Sequence, residues 1–123
     1  VEALPRALLR PQDGGGLYVH RTDARRLHLL LTDEPSVVFI DPPYVGTSCG
    51  YAAEFSRPDV LACAQVFVAR GNPVVVSEAE PLPSLALGTS ECKRLAGPTG
   101  GGRTASKQQQ EWLTIYRPPR RCP

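Results

Sequence analysis

No apolar run in the chain approaches the 18 residues of a membrane span, so no transmembrane helix is expected. There is also no positively charged leader followed by an apolar run and a small-residue cleavage site. Cysteine is sparse: Cys49, Cys63, Cys92 and Cys122 lie 14, 29 and 30 residues apart, with no CxxC or CxxH pair, a spacing that argues against zinc. The expectation is a cytoplasmic chain with free thiols and no metal. Charge of one sign is lacking too. Fourteen basic and twelve acidic side chains leave a net +2, too little to indicate a nucleic-acid partner by itself. His20 and His28 have no spacing suited to a metal or a triad and read as structural. No internal repeat is present, and 123 residues exclude two independent catalytic domains.

With 41% hydrophobic and 21% charged residues the chain is suited to one folded core. Gly 11 and Pro 13 together approach a fifth of it, against a usual level of about 12%, which means many turns and few long helices. The charge is unevenly spread. Beyond residue 92 there are Lys93, Arg94, Arg103, Lys107, Arg117, Arg120 and Arg121 against Glu111 alone, either a phosphate-facing edge or a solvated tail.

Residues 1–10 fit a helix fragment or an arm, and 12–16 a loop kept open by three glycines. Residues 17–20 read as a short strand, and 23–31 as a helix with Leu27, Leu30 and Leu31 on one face and Thr22 or Asp23 as cap. Val37, Val38, Phe39 and Ile40 form an uninterrupted run that predicts a strand buried on both faces, stopped by two prolines after Asp41. Residues 59–70 predict a helix with Pro58 in its first turn and Gly71 closing it, and Val74, Val75 and Val76 a second buried strand. Strand, helix and strand in this order predict a right-handed βαβ unit and an α/β class. Further on, 82–87 suggest one helical turn, 97–106 a glycine-rich loop, and 91–95 with 111–116 an antiparallel hairpin.

Asp41, Pro42, Pro43 and Tyr44 stand at the end of the predicted buried strand, where open α/β sheets place ligands. Two successive prolines donate no backbone hydrogen bond, so the Asp carboxylate and a prolyl carbonyl present two acceptors side by side. An exocyclic amine has two hydrogens to give, and Tyr44 offers a flat face for a base taken out of a duplex. The plainer reading is a proline turn with an Asp at its tip.

VVFIDPPYVGTSCGY resembles motif IV of the amino-group DNA methyltransferases, in the Asp-first form of the Dam-like N6-adenine enzymes. Tyr51, the helix ending at Gly71 and the strand VVVSEAEPL are similar to the segments after that loop in the group, GPTGGGRTASKQQQEWLTIY to its C-terminal hairpin, and HRTDARRL to the segment lining the cofactor adenine. The resemblance implies a partial Rossmann-like, S-adenosylmethionine-dependent methyltransferase fold, with a parallel βαβ unit and a C-terminal antiparallel hairpin. It implies that Asp41 and the Pro42 carbonyl accept the target amine, that Pro43 helps fix the loop, and that Tyr44 stacks on a flipped adenine. Asp23 and Ala24 would flank the cofactor adenine, and Asp41 would border the cofactor as well. Ser77 and Glu78 would shape the floor of the base pocket, or be a strand-end hydroxyl and a solvated carboxylate. Arg103 and Lys107 would meet phosphates of double-stranded DNA, or lie on a surface loop with no such task.

The glycine loop Phe-x-Gly-x-Gly of this group, its ribose-binding acid and its target-recognition region have no counterpart here, and the glycines at 14–16 follow no buried strand. Residues 1–123 therefore read as the C-terminal portion of a methyltransferase catalytic domain. The alternatives are an inactive truncated homologue with a DNA-binding or structural role, and transfer to an amine of RNA or protein.

Overall fold

A signal at each end fixes helix α1 (Arg57–Ala69). Pro58 sits in the first turn, where its missing N–H is no loss. The Asp59 carboxylate turns back to accept from the Ser56 N–H at 2.9 Å and from its hydroxyl at 2.8 Å. At the other end Gly71 adopts φ 88°, its N–H reaches the Val68 carbonyl at 2.9 Å, and the Asn72 N–H reaches that of Phe67 at 3.0 Å. These are the paired bonds of a Schellman end. The expected helix over 59–70 is thus present and begins two residues earlier.

The computed structural model describes residues 17–31, 34–43, 55–95 and 110–120. The expectations for 1–10, 12–16, Tyr44, Tyr51, Arg103, Lys107 and the loop at 97–106 lie outside them. The chain divides into two units, Val1–Thr32 and Asp33–Pro123. In the second, β1 (Val38–Ile40), β2 (Val74–Glu78), β3 (Thr89–Leu95) and β4 (Glu111–Arg117) form one sheet in the order β1-β2-β4-β3. β1 and β2 are parallel and joined through α1, while β4 runs antiparallel to both β2 and β3. The protein is therefore mixed α/β with a four-stranded mixed sheet, and the expected hairpin is β3 with β4, its second strand lying inside the sheet.

Helix α1 supplies Val60, Ala64, Phe67 and Val68 to a core that also holds Val74 and Val76 of β2, Tyr116 of β4 and Leu82. Burying each larger side chain contributes about 1.5–3 kcal/mol. The segment 79–88 crosses from β2 to β3 and is pinned to β4. The Leu82 N–H donates to Thr114 Oγ1 at 3.1 Å, and the Tyr116 hydroxyl donates to the Pro83 carbonyl at 2.7 Å. Gly88 ends it at φ 73°, where a Cβ would run into the Arg117 carbonyl.

Four expectations are corrected. Residues 17–20 form no strand: Leu17, Tyr18 and Val19 are exposed, and no ladder partner stands beside them among the described residues. In place of a helix over 23–31 there is a 3₁₀ helix at Ala24–Leu29, with no buried residue. A six-residue segment that packs no face has little to hold it in the longer α form. Residues 82–87 make no helical turn, because the prolines at 81 and 83 remove donors and the Leu82 N–H goes to β4 instead. Finally, the strand at Val38–Ile40 is not buried on both faces. Val38 and Ile40 pack against the core, but Phe39 is 62% exposed and the preceding Val37 75%, since β1 is an outer strand and α1 covers one face.

Burial, with a smaller contribution from Cys92, pushes the Tyr116 hydroxyl up to about 12 from its ordinary 10.0. The folded pKa is raised, so the stabilisation is complete below pH 10 and is lost as the pH rises from there through about 12. Tyrosinate absorbance should include a late-titrating component that is missing from Tyr116→Phe.

Candidate functional site

Ile40 of β1 pairs with Val76 of β2, so Asp41 and Pro42 leave the sheet beside the last residues of β2, Ser77 and Glu78. The antiparallel β4 begins at this same end, with Leu113 opposite Ser77 and Trp112 opposite Glu78. The carboxyl ends of β1 and β2 and the start of β4 thus bring Asp41, Ser77, Glu78 and Glu111 to one end of the sheet. Asp41 is exposed, Pro42 buried and Pro43 half-buried. A strand end followed by two residues without N–H groups leaves carbonyl and carboxylate oxygens as the polar atoms on offer.

Ser77 and Glu78 are both buried, at 2% exposure. The Ser77 hydroxyl donates to Glu111 Oε1 at 3.1 Å, a charge-assisted bond tying the end of β2 to the start of β4. Glu78 Oε1 accepts the N–H of Ala79 at 2.8 Å, so Glu78 is not a solvated residue. Trp112 is half-buried, and its indole N–H donates to Gln110 Oε1 at 3.4 Å. Sequence reasoning gave Glu111 no role. The signal was present in an acid opening an alternating strand of a hairpin, but only the register makes Ser77 its partner.

Asp23 and Ala24 belong to the first unit. Asp23 caps the 3₁₀ helix: Oδ1 accepts from the Arg25 N–H at 2.9 Å, and the Arg25 guanidinium closes on the carboxylate down to 2.6 Å. The Arg25 hydrogen bonds hold this carboxyl at about 2, well below its usual 3.8.

Several cations of the second unit are held in ion pairs. Arg57, at the start of α1, is paired with Glu80. Glu91 of β3 is bonded by Arg117 at 3.0 Å and approached by Lys93 at 3.5 Å, Arg117 first and Lys93 second lowering its pKa. Among the described residues no three His, Cys, Asp or Glu gather as a metal site would need. Cys63 and Cys92 are free thiols, and no helix among the described residues is long and apolar enough to cross a membrane. No protein-family model matches the chain, and neither the curated proteins nor the solved structures contain a match.

Removing the Glu111 carboxylate should release the end of β2. Glu111→Ala is expected to lower stability by about 1–2 kcal/mol and Glu111→Gln by less, read as shifts of the denaturant midpoint at constant slope. For Asp23, whose folded pKa is depressed, the cap should persist above the ordinary carboxylate range and weaken as the pH falls through about 2. In an NMR titration Arg25→Ala should move the Asp23 midpoint up toward 3.8, with the backbone N–H bond of residue 25 still in place.

Proposed function

We propose that this chain is the amine-binding portion of an S-adenosylmethionine-dependent DNA methyltransferase of the Dam-like group, acting on N6 of an adenine turned out of the duplex. One observation carries the reading: Asp41, Pro42 and Pro43 come directly after a strand that is parallel to its neighbour and joined to it through a helix. The finer fold reading, a partial Rossmann-like methyltransferase fold, has its support in the same βαβ unit and in the antiparallel hairpin after it. A cytoplasmic location goes with this activity.

Asp41 accepts one hydrogen of the target amine and the Pro42 carbonyl the other, which draws the nitrogen lone pair out of conjugation with the ring. The Asp41 carboxylate also stabilises positive charge growing on that nitrogen. Tyr44, by the resemblance, provides the stacking face. Ser77, held by Glu111, and the buried Glu78 keep the neighbouring strand end fixed, and preorganisation of this kind is what electrostatic stabilisation depends on.

When bound, S-adenosylmethionine supplies an electrophilic methyl group carried on a sulfonium cation. Asp41 fits such a ligand, as an exposed carboxylate at the end of the sheet that also holds Glu111 and Glu78. The Asp23 carboxylate does not fit as it stands, because its bonds go to Arg25, and Ala24 offers only its backbone. That engagement of Asp23 favours the second reading, an inactive homologue with a DNA-binding or structural role. Calorimetric titration with S-adenosylmethionine separates the two: micromolar binding speaks against an inert chain.

Labelled methyl transfer to adenine-containing duplex DNA tests the main reading. Asp41→Ala should lower the rate about 100- to 1000-fold. Equal incorporation by the variant would sink the assignment.

A further inference from the structure

We propose that β3 is the phosphate-binding edge for the same DNA, with Lys93 and Arg94 as its contact residues; the inference rests on the methyltransferase reading above. It comes from the way charge is distributed across the strand ends. At the end of the sheet that carries Asp41, the inner strands contribute Ser77, Glu78 and Glu111, a set that would repel phosphate. The ladder then continues one strand further. Leu113, opposite Ser77, pairs on its other side with Lys93, and Trp112, opposite Glu78, pairs with Arg94. Lys93 and Arg94 thus stand on the rungs of Ser77 and Glu78, displaced to the outermost strand, with Glu111 one rung further on opposite Leu95.

Asp41 and β3 lie three strand spacings apart, about 14 Å. A nucleotide has this polarity, with an amine at the base edge and, through the sugar, a phosphate at the far end. A base held at Asp41 brings the backbone of its strand toward β3. Lys93 and Arg94 are both exposed and, as neighbours in a strand, project to opposite faces, so they straddle the edge. Among the described residues Lys93 is paired with Glu91 at 3.5 Å, an exposed contact that a phosphate can replace at little cost. From residue 92 to 110 the sequence has Lys93, Arg94, Arg103 and Lys107 and no acid, so the cationic character continues beyond the strand. Among the described residues one edge of β3 has no ladder partner, and the backbone N–H groups of such an edge are a further kind of phosphate donor.

The test is the salt dependence of binding to an adenine-containing duplex. Each phosphate contact contributes about 0.9 to the slope of log K against log salt, so Lys93→Ala with Arg94→Ala should reduce the slope by about 1.8, and each single variant by half of that. Arg94→Lys keeps the charge and should keep the slope. Arg120→Ala, beyond the far end of β4, should keep it too. An unchanged slope in the double variant, with its denaturant midpoint intact, overturns the proposal and assigns these cations to guarding an open edge against aggregation. A wild-type protein that binds no duplex overturns both the proposal and the reading beneath it. Binding with the expected slopes but no methyl transfer overturns the methyltransferase reading alone. Asp41→Ala should bind with the wild-type slope while transferring methyl groups about 100- to 1000-fold more slowly, which keeps the two failures apart.

Discussion

The ladder between β2 and β4 is the constraint on which everything else in the second unit depends. It pairs Val74 with Tyr116 and Glu78 with Trp112, segments more than thirty residues apart in sequence, and both strands are interior to the sheet. Because side chains alternate across a strand, a slip of one residue would turn Thr114 and Tyr116 away from the core. The same slip would take the Thr114 hydroxyl from the Leu82 N–H, the Tyr116 hydroxyl from Pro83, and Glu111 from Ser77. One register therefore sets the core, the course of 79–88 and the geometry of the strand ends together.

Much of this was legible in residue order. Pro58 and Gly71 mark the ends of α1 because each has a backbone property that no other residue matches at those positions. The β-branched runs around Val38 and Val75 are strands because such side chains fit a pleated surface. Burial was harder to read. Val37 and Phe39 are as apolar as a buried strand requires, yet whether a face is covered depends on which element packs there, and α1 takes only the face of Val38 and Ile40. Leu27, Leu30 and Leu31 have helical spacing, but periodicity yields a stable α-helix only where a surface receives it. At the site, Asp41 and its prolines could be placed from sequence, because proline stops a strand. The bond from Ser77 to Glu111 could not, since it depends on a pairing between distant segments.

The second unit separates two chemistries along one sheet end. Acids and proline carbonyls gather at the ends of β1 and β2 and the start of β4, and Lys93 and Arg94 lie on β3. In the proposed function the first group receives an amine and the second meets the phosphates attached to it, so specificity for a nucleotide substrate comes from spacing as much as from any single contact. The paired bonds of Ser77 with Glu111 and of Glu78 with Ala79 give the inner strands a fixed frame.

The position of β4 also bears on how the chain reaches this structure. β4 comes after the other strands in sequence but lies between two of them. While a ribosome is still making the residues after 95, β2 and β3 have no strand between them, and the groove that β4 will fill stands open. Interior edges left open during synthesis are a familiar route to misassembly. Since Leu82 and Pro83 are fastened to Thr114 and Tyr116, the stretch linking β2 to β3 gains these two bonds only once β4 is in place.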